Sequence, residues 1–449
     1  MIRSFFKFEE RNTDFKTETI GGATTFMTMS YIIFVQPVIL GMAIGSKMDT
    51  GAVMVATCIS SAIATLLMGL LANYPIALAP AMGHNLFFSL IVCGAMGYNW
   101  QVGLGAVFIS GTIFTILSAF RLWEPLVQAV PDALKHSIAT GIGLLIALIG
   151  LEYGGVIVDT PNVYVGLGEL GSAPVIMTFT GLIIISILMT LRVPGAILIG
   201  IIATAILGIQ LDIVQYEGVI SAPPSISPTL FKLDIVGALK TGFIPVVFVF
   251  FMLDLFDTMG TLIGVSDQAG FIKDGRLPKA SRAMLADAIG TIAGAVLGTS
   301  TVTSYIESLT GISQGARTGF ANLITALLFL LALFFSPLTK MIGGTFIYEK
   351  VIAGEVVAMQ LHPVIAPALV IVGYLIMKCV TRIDWDDATE AIPAFLVIIM
   401  MPLTLSITDG IAFGFISYTL LKLASGRGRE VHWVVYLFAV LSILRYIFQ

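Results

Sequence analysis

From about residue 20 onward the chain alternates long apolar runs with short polar breaks. Apolar runs fall near 20–42, 52–72, 77–95, 100–120, 134–152, 173–191 and 193–211, and a second series near 242–265, 281–298, 301–315, 319–340, 362–380, 389–407 and 409–424. Most approach the roughly 20 residues that a helix needs to cross a bilayer's hydrocarbon layer. The longest polar break, 212–240, carries Pro223, Pro224 and Pro228 and separates seven runs from seven. The pattern predicts an all-α polytopic membrane protein of about 14 transmembrane segments. Its parts are a first repeat over 1–211, an external linker over 212–240, a second repeat over 241–424, and a cytoplasmic tail over 425–449. The tail holds a last apolar run, 431–447, short for a span and expected at the membrane interface.

Charge placement orients the model. The first twenty residues are mixed-charge with no leading apolar core, so the N-terminus is expected to stay cytoplasmic. Counting spans from there puts most Lys and Arg, among them Arg3, Arg121, Arg192, Arg317 and Lys422, on the cytoplasmic side, as the positive-inside rule requires. The C-terminus is expected on that side too. An odd number of spans per half turns the second half upside down relative to the first, the inverted repeat of secondary transporters.

Composition agrees. Of 449 residues 57% are hydrophobic and only 11% charged, less than half the charge of an ordinary soluble domain. No basic face for nucleic acid exists. Cys58, Cys93 and Cys379 each lie in an apolar stretch, so no disulfide framework is expected.

Two segments resist reading as plain helices. In 74–92, Pro75, Pro80 and Gly83 break the run, predicting a short extended piece and a half-helix from about Met82. In 298–313 the hydroxyl cluster Thr299 to Ser304 does the same, with a helix beginning near Ser304. Each is third in its half. Interrupted segments at matching places in two halves point to a transporter's binding site, where half-helix N-termini turn free N–H groups toward a ligand.

Four acids lie inside spans: Asp254, Asp257, Asp287 and Glu307, none with a Lys or Arg in its own segment. Intramembrane acids are functional candidates by default, as hydrogen-bonding ligands or proton carriers. Asp254 and Asp257, three apart, share a helical face and are expected to hold one proton between them. Aromatic neighbours Phe87 and Tyr305, with Asn85 as donor and acceptor, suit a planar, nitrogen-rich heterocycle. His84, a lone histidine in a span, reads first as a packing residue, with ligand contact open because it adjoins Asn85. No metal or organic cofactor is called for. An intramembrane aspartyl protease fits poorly, since its two aspartates come from different helices, and a passive channel needs no buried titratable groups.

The stretches FEERNTDFKTETIGGATTFMTMSYIIFVQP, ANYPIALAPAMGHNLFF, LDLFDTMGTLIGV, LADAIGTIAGAVLGTSTVTSYIESLTGI and GIAFGFISY together resemble the azaguanine-resistance type of hypoxanthine/guanine/adenine permeases, a branch of the nucleobase–cation symporter-2 group. The resemblance implies a fold similar to the bacterial uracil permease: two inverted sevens with broken third and tenth segments. A core domain would take approximately 20–120 plus 241–345, and a gate domain 133–211 plus 360–424. It implies a homodimer in the bacterial inner membrane that imports a purine with protons by an elevator-like motion. It places Asp257 and Glu307 on the base, ties Asn85 to purine recognition, and makes Asp254 necessary for transport. Where the family reads P-G-M-G-L-N, this chain reads Pro80-Ala81-Met82-Gly83-His84-Asn85, so the wall beside the site is altered. The competing reading is an anion or other small-solute carrier of the same general fold, which two site acids would disfavour.

Overall fold

Apolar runs become helices here because inside a bilayer every backbone N–H and C=O must find a partner within the chain. The computed structural model describes residues 2–41, 45–122, 130–160, 163–240, 244–272, 277–352 and 355–448. The first span is two helices, α1 (Phe15–Met29) and α2 (Ile32–Gly41), parted at Ser30 and Tyr31. Asp14 caps α1 by accepting from the Thr17 N–H at 2.8 Å. The second span, α3 (Thr50–Leu67), widens into a π-turn over Met68–Ala72 and stops at Asn73, whose left-handed backbone (φ 59°) reverses the chain.

The third segment opens as an extended strand, β1 (Leu78–Pro80), followed by the half-helix α4 (Met82–Leu86), which continues in π-form over Phe87–Ala95. Then come α5 (Trp100–Ala119), α6 (Asp132–Tyr153), the hairpin β2 (Ile157–Thr160) and β3 (Val163–Leu167), α7 (Ala173–Thr190) and α8 (Ala196–Gln210). The second half starts with α9 (Ile244–Gln268) and α10 (Ala280–Leu297). Gly298 ends α10 at φ 105°, a conformation open to glycine at little cost. The chain then enters β4 (Val302–Ser304) and the half-helix α11 (Ser308–Ser313). α12 (Phe320–Ala332) runs through a 3₁₀ turn into α13 (Ser336–Gly343), and a second hairpin pairs β5 (Phe346–Ile352) with β6 (Glu355–Leu361). The last helices are α14 (Ala366–Met377), α15 (Ala388–Thr404), α16 (Ile407–Ala424) and α17 (Trp433–Phe448).

The third segment therefore has the expected form, whereas in the tenth Ser304 still belongs to the strand and the helix begins at Ser308 rather than near Ser304, because the β1–β4 pairing carries the extended backbone further; the two segments meet. β1 pairs antiparallel with β4, Leu78 opposite Ser304 and Pro80 opposite Val302, so the backbone groups that the missing helix turns would have satisfied bond one another instead. The two longer hairpins were not expected. Val163–Leu167 and Glu355–Leu361 are too short to span and carry β-branched residues, so they pair locally beyond the helix ends. Tyr348 of one donates to Glu169 beside the other at 2.6 Å.

The described chain divides into two compact units. The first comprises Met1–Phe120 and Gly150–Ala368, the second Arg121–Ile149 and Leu369–Gln449. In the first, α10 packs between α3 and α5, with Gly111 and Gly290 letting the backbones close in. In the second, α6 and α14 touch where a side chain at Gly373 would strike the Gly143 carbonyl. There too α17 runs antiparallel along α16. Tyr436 bonds the Gly428 carbonyl at one end, Phe438 packs on Phe415, and Tyr446 reaches Asp409 at the other. The last apolar run thus packs along α16 over its length.

Candidate functional site

The site builds up around the β1–β4 crossing in the first unit. Asp257 stands near the middle of the 25-residue α9, yet its side chain is 48% exposed. Toward the helix end the same face carries Gly260 and Gly264, where an added Cβ would meet nothing within 4 Å. Asp257 is thus half-open at mid-span, with open space along its own helix face. One oxygen of Asp257, Oδ2, accepts from Thr303 Oγ1 at 3.3 Å and lies 4.0 Å from Nδ1 of His84. Strand β4 thus sets the carboxylate from one side and half-helix α4 from the other.

Asp254, one turn earlier, faces elsewhere. It is fully buried and accepts from Thr291 of α10 at 3.2 Å, through Oδ2. The equally buried Asp287 accepts from Thr258 at 2.8 Å and from Ser304 at 3.3 Å. Oδ1 of Asp254 meets no donor among the described residues. The carboxyl of Asp287, its neighbour, can donate only if it carries a proton. Asp254 on α9 and Asp287 on α10 are thus both buried, and each is held by a hydroxyl from the other's helix, Thr291 for the one and Thr258 for the other. Thr291 also bonds the carbonyl and N–H of Val302, which fastens this buried pair to β4.

Glu307 immediately precedes α11 and is half-buried. Its Oε1 accepts from the hydroxyl of Tyr31 at 2.7 Å, a charge-assisted bond of about 1.5–3 kcal/mol if the acid is ionised. The expectation that α11 offers free N–H groups is not met. Ser308, Leu309 and Thr310 donate to the carbonyls of Tyr305, Ile306 and Glu307, in the tight turns that six-residue helices adopt. At α4 it is met, for the N–H groups of Met82, Gly83 and His84 have no hydrogen-bond partner among the described residues, whereas Asn85 donates to Ala81.

The remaining expected contacts sit deeper. Asn85 is fully buried and exchanges amide hydrogen bonds with Gln36 of α2, while Ser300 donates to its carbonyl oxygen. Gln36 also donates to Thr299 at 2.7 Å. Phe87 is buried edge-on against Phe250, with centroids 4.9 Å apart. Tyr305 is buried and bonds the Pro80 carbonyl, pinning the strand crossing. His84 is 3% exposed, and its Nε2 has no partner among the described residues. Tyr31, Gln36, Thr303 and Thr291 were not singled out from sequence. Gln36 left a trace there, as the one strongly polar side chain in IIFVQPVIL.

Chemically the arrangement is rich in acceptors. Two acids that are not fully buried, Asp257 and Glu307, each steadied by one hydroxyl, carry oxygens that can accept from N–H donors, and backbone N–H groups of α4 offer the converse. Among the described residues, none of the ion pairs made by Lys or Arg involves the four acids, and no group of three or more His, Cys, Asp or Glu is placed to hold a metal ion.

Comparison with known proteins places this architecture. The adenine permease AdeP of Escherichia coli is 42% identical over 449 residues, covering 100% of this chain and 96% of that protein. The guanine/hypoxanthine permease PbuG of Bacillus subtilis is 42% identical over 456 residues, covering 100% of both. Among solved structures, the transmembrane domain of a cyanobacterial bicarbonate transporter superposes with TM-score 0.62 at 12% identity, over 89% of this chain and 97% of its own. Murine solute carrier 26 family member A9 does so with TM-score 0.59 at 11% identity, over 92% and 69%. At such identity these two share the fold alone. A model described as the permease family matches residues 16–413, and the chain belongs to that family, as a multi-pass membrane permease and not an enzyme.

Proposed function

We propose that this permease imports a purine nucleobase across the cytoplasmic membrane together with protons. Asp257 and Glu307 accept N–H groups of the base, and the unpaired N–H groups of α4 meet a carbonyl or ring nitrogen. The observation that carries the reading is the half-exposed Asp257 at mid-span, with open space along its helix face and no ion pair to Lys or Arg among the described residues. Relatives named for adenine and for guanine/hypoxanthine support the substrate class. An inorganic anion, the cargo named for one structural neighbour, would meet two acids that no Lys or Arg pairs with among the described residues.

The buried pair Asp254 and Asp287, tied through Thr291 and Ser304 to β4, joins Asp257 and Glu307 as the proton-carrying set. Uptake rides on an elevator-like motion of core against gate in a homodimer. Radiolabelled uptake in a host lacking its own purine carriers tests this. Competition by adenine, guanine or hypoxanthine, together with loss of uptake on collapsing the proton gradient, is the expected result. Competition by bicarbonate or sulfate, or indifference to the gradient, overturns it.

A further inference from the structure

Helix α1 and half-helix α11 are clamped together. A Cβ on Gly311 would lie 2.3 Å from the Gly21 carbonyl, and one on Gly21 2.5 Å from Ala316 Cβ, so the two backbones are nearly in contact. Two turns along, Thr28 and Thr310 share a hydroxyl hydrogen bond at 2.8 Å. The clamp fixes where α1 ends relative to where α11 begins. At that end the chain breaks between Met29 and Ile32, and the buried Tyr31 in the break directs its hydroxyl at Oε1 of Glu307, 2.7 Å away. The contact is therefore built into the packing of two elements 276 residues apart in sequence.

We infer that Tyr31 is a positioning residue for the permeation site: its hydroxyl holds the Glu307 carboxylate in the one orientation that meets a substrate N–H. This rests on Glu307 being a substrate ligand, as proposed above. A carboxylate has lone pairs for about four hydrogen bonds, so occupying Oε1 leaves acceptor capacity for the ligand while removing rotational freedom about the last side-chain torsion. Without the hydroxyl the carboxylate turns freely and must be ordered at binding. The break in the first span thus has a use: it places Tyr31 between two helices, where its hydroxyl reaches the carboxylate that precedes α11.

Tyr31→Phe removes only the oxygen. It is expected to raise the KM for purine uptake about tenfold, the equivalent of about 1.4 kcal/mol, with Vmax per molecule at the membrane changed less than threefold. Tyr153→Phe is the control, because the Tyr153 hydroxyl is buried with no partner among the described residues, and it should match the wild type. A second measurement needs no substrate. In infrared spectra of purified protein, the carboxyl band absent from Glu307→Gln is expected to shift in Tyr31→Phe. An unmoved band, or a wild-type KM in Tyr31→Phe, overturns the inference. If the wild type takes up no purine while the band still shifts, the hydroxyl positions Glu307 and it is the transport reading that fails.

Discussion

Both units hold a cluster of acids, and they treat it in opposite ways. In the second unit the ammonium of Lys422, 1% exposed, lies 3.3 Å from Glu390, 3.4 Å from Glu430 and 3.8 Å from Asp387. Arg427 bonds Asp387 at 2.6 Å and Glu430 at 2.9 Å. Each of these three acids is matched by a cation, and though a cleft of about 650 Å³ opens beside Lys422 and Tyr418, the Lys422, Glu390 and Glu430 charges on its wall are engaged with one another. In the first unit the four acids Asp254, Asp257, Asp287 and Glu307 make no ion pair with Lys or Arg among the described residues. Their side-chain donors are the hydroxyls of Thr303, Tyr31, Thr291, Thr258 and Ser304. A hydroxyl steadies a carboxylate without neutralising it, and so leaves it able to bind an N–H group or a proton. Cation-paired acids hold structure together, whereas acids held only by hydroxyls keep the capacity to accept a further hydrogen bond or a proton, which is what the proposed transport role requires.

The sharpest way to break the comparison is to neutralise the available acids. Asp257→Asn and Glu307→Gln each keep size and shape but turn an acceptor-only group into one that also donates, and each should abolish measurable uptake. Immunoblots of membrane fractions should show normal insertion. Uptake within threefold of wild type in either variant would remove that residue from the site. Asp257 can also be converted into an acid of the second kind. Gly260 lies one turn away on the same open face, where a new side chain meets nothing nearby, so Gly260→Lys supplies the missing cation. Uptake should fall at least tenfold, whereas Gly260→Ala should keep more than half; equal activity in the two would mean that charge does not govern the site.

The converse change strips the second unit of its cation. Lys422→Met leaves Glu390, Glu430 and Asp387 with one partner fewer, and breaking a buried ion pair can cost about 3–5 kcal/mol. Because those acids are a quarter to a half exposed, screening lowers the expected loss to about 2 kcal/mol. The readout is the melting temperature of the purified protein, with the KM for substrate unchanged. Acid should weaken the same region. The Arg427 guanidinium and the Thr389 donors hold Asp387 well below the usual carboxylate range, and Arg427 does the same for Glu430. Carboxyls depressed in the folded state contribute stability above their unfolded values, near pH 4, and lose it as pH falls through the folded ones. Melting temperature should therefore drop below about pH 4, and less so in Arg427→Gln, which has already lost the contact.

What could be read from the sequence follows the same division. The broken segments announced themselves through Pro75, Pro80 and the run from Thr299 to Ser304, because local chemistry alone forbids a helix there. The four acids stood out because any charge in a span does. The partners did not. Tyr31 and Gln36 are ordinary residues in apolar stretches, and their meaning arises when α1 packs on α11 and α2 on α4. The contacts of Asp254 with Thr291 and of Asp287 with Thr258 were hidden for the same reason: helical periodicity suggests which residues share a face, not which neighbouring helix that face meets. The hairpins were missed because the search for spans passes over short β-branched stretches between them.

Arg317 gives the smallest expected effect and marks the edge of the site. It follows α11 closely in sequence, and a cation so near Glu307 invites the idea that it balances that acid. The structure ties it to something else. Its guanidinium donates to the carbonyls of Ile312 and Ala316, at 2.7 and 2.9 Å, which terminate α11 much as basic side chains finish other helices. The stronger anchor there is the buried Glu18, which accepts from the backbone N–H groups of Arg317 and Thr318 at 2.8 and 3.1 Å. Those bonds reach the main chain, so Arg317→Ala keeps them and loses only the guanidinium's grip on two carbonyls that other donors can share. Uptake should stay within about twofold of wild type, with melting temperature lowered by a degree or two. Glu18→Gln, which weakens the main-chain anchor itself, should lower it further. A tenfold loss of uptake in Arg317→Ala at normal expression would place a cation within the electrostatic reach of Glu307 after all, and the contrast between cation-paired and hydroxyl-paired acids would no longer separate the two units.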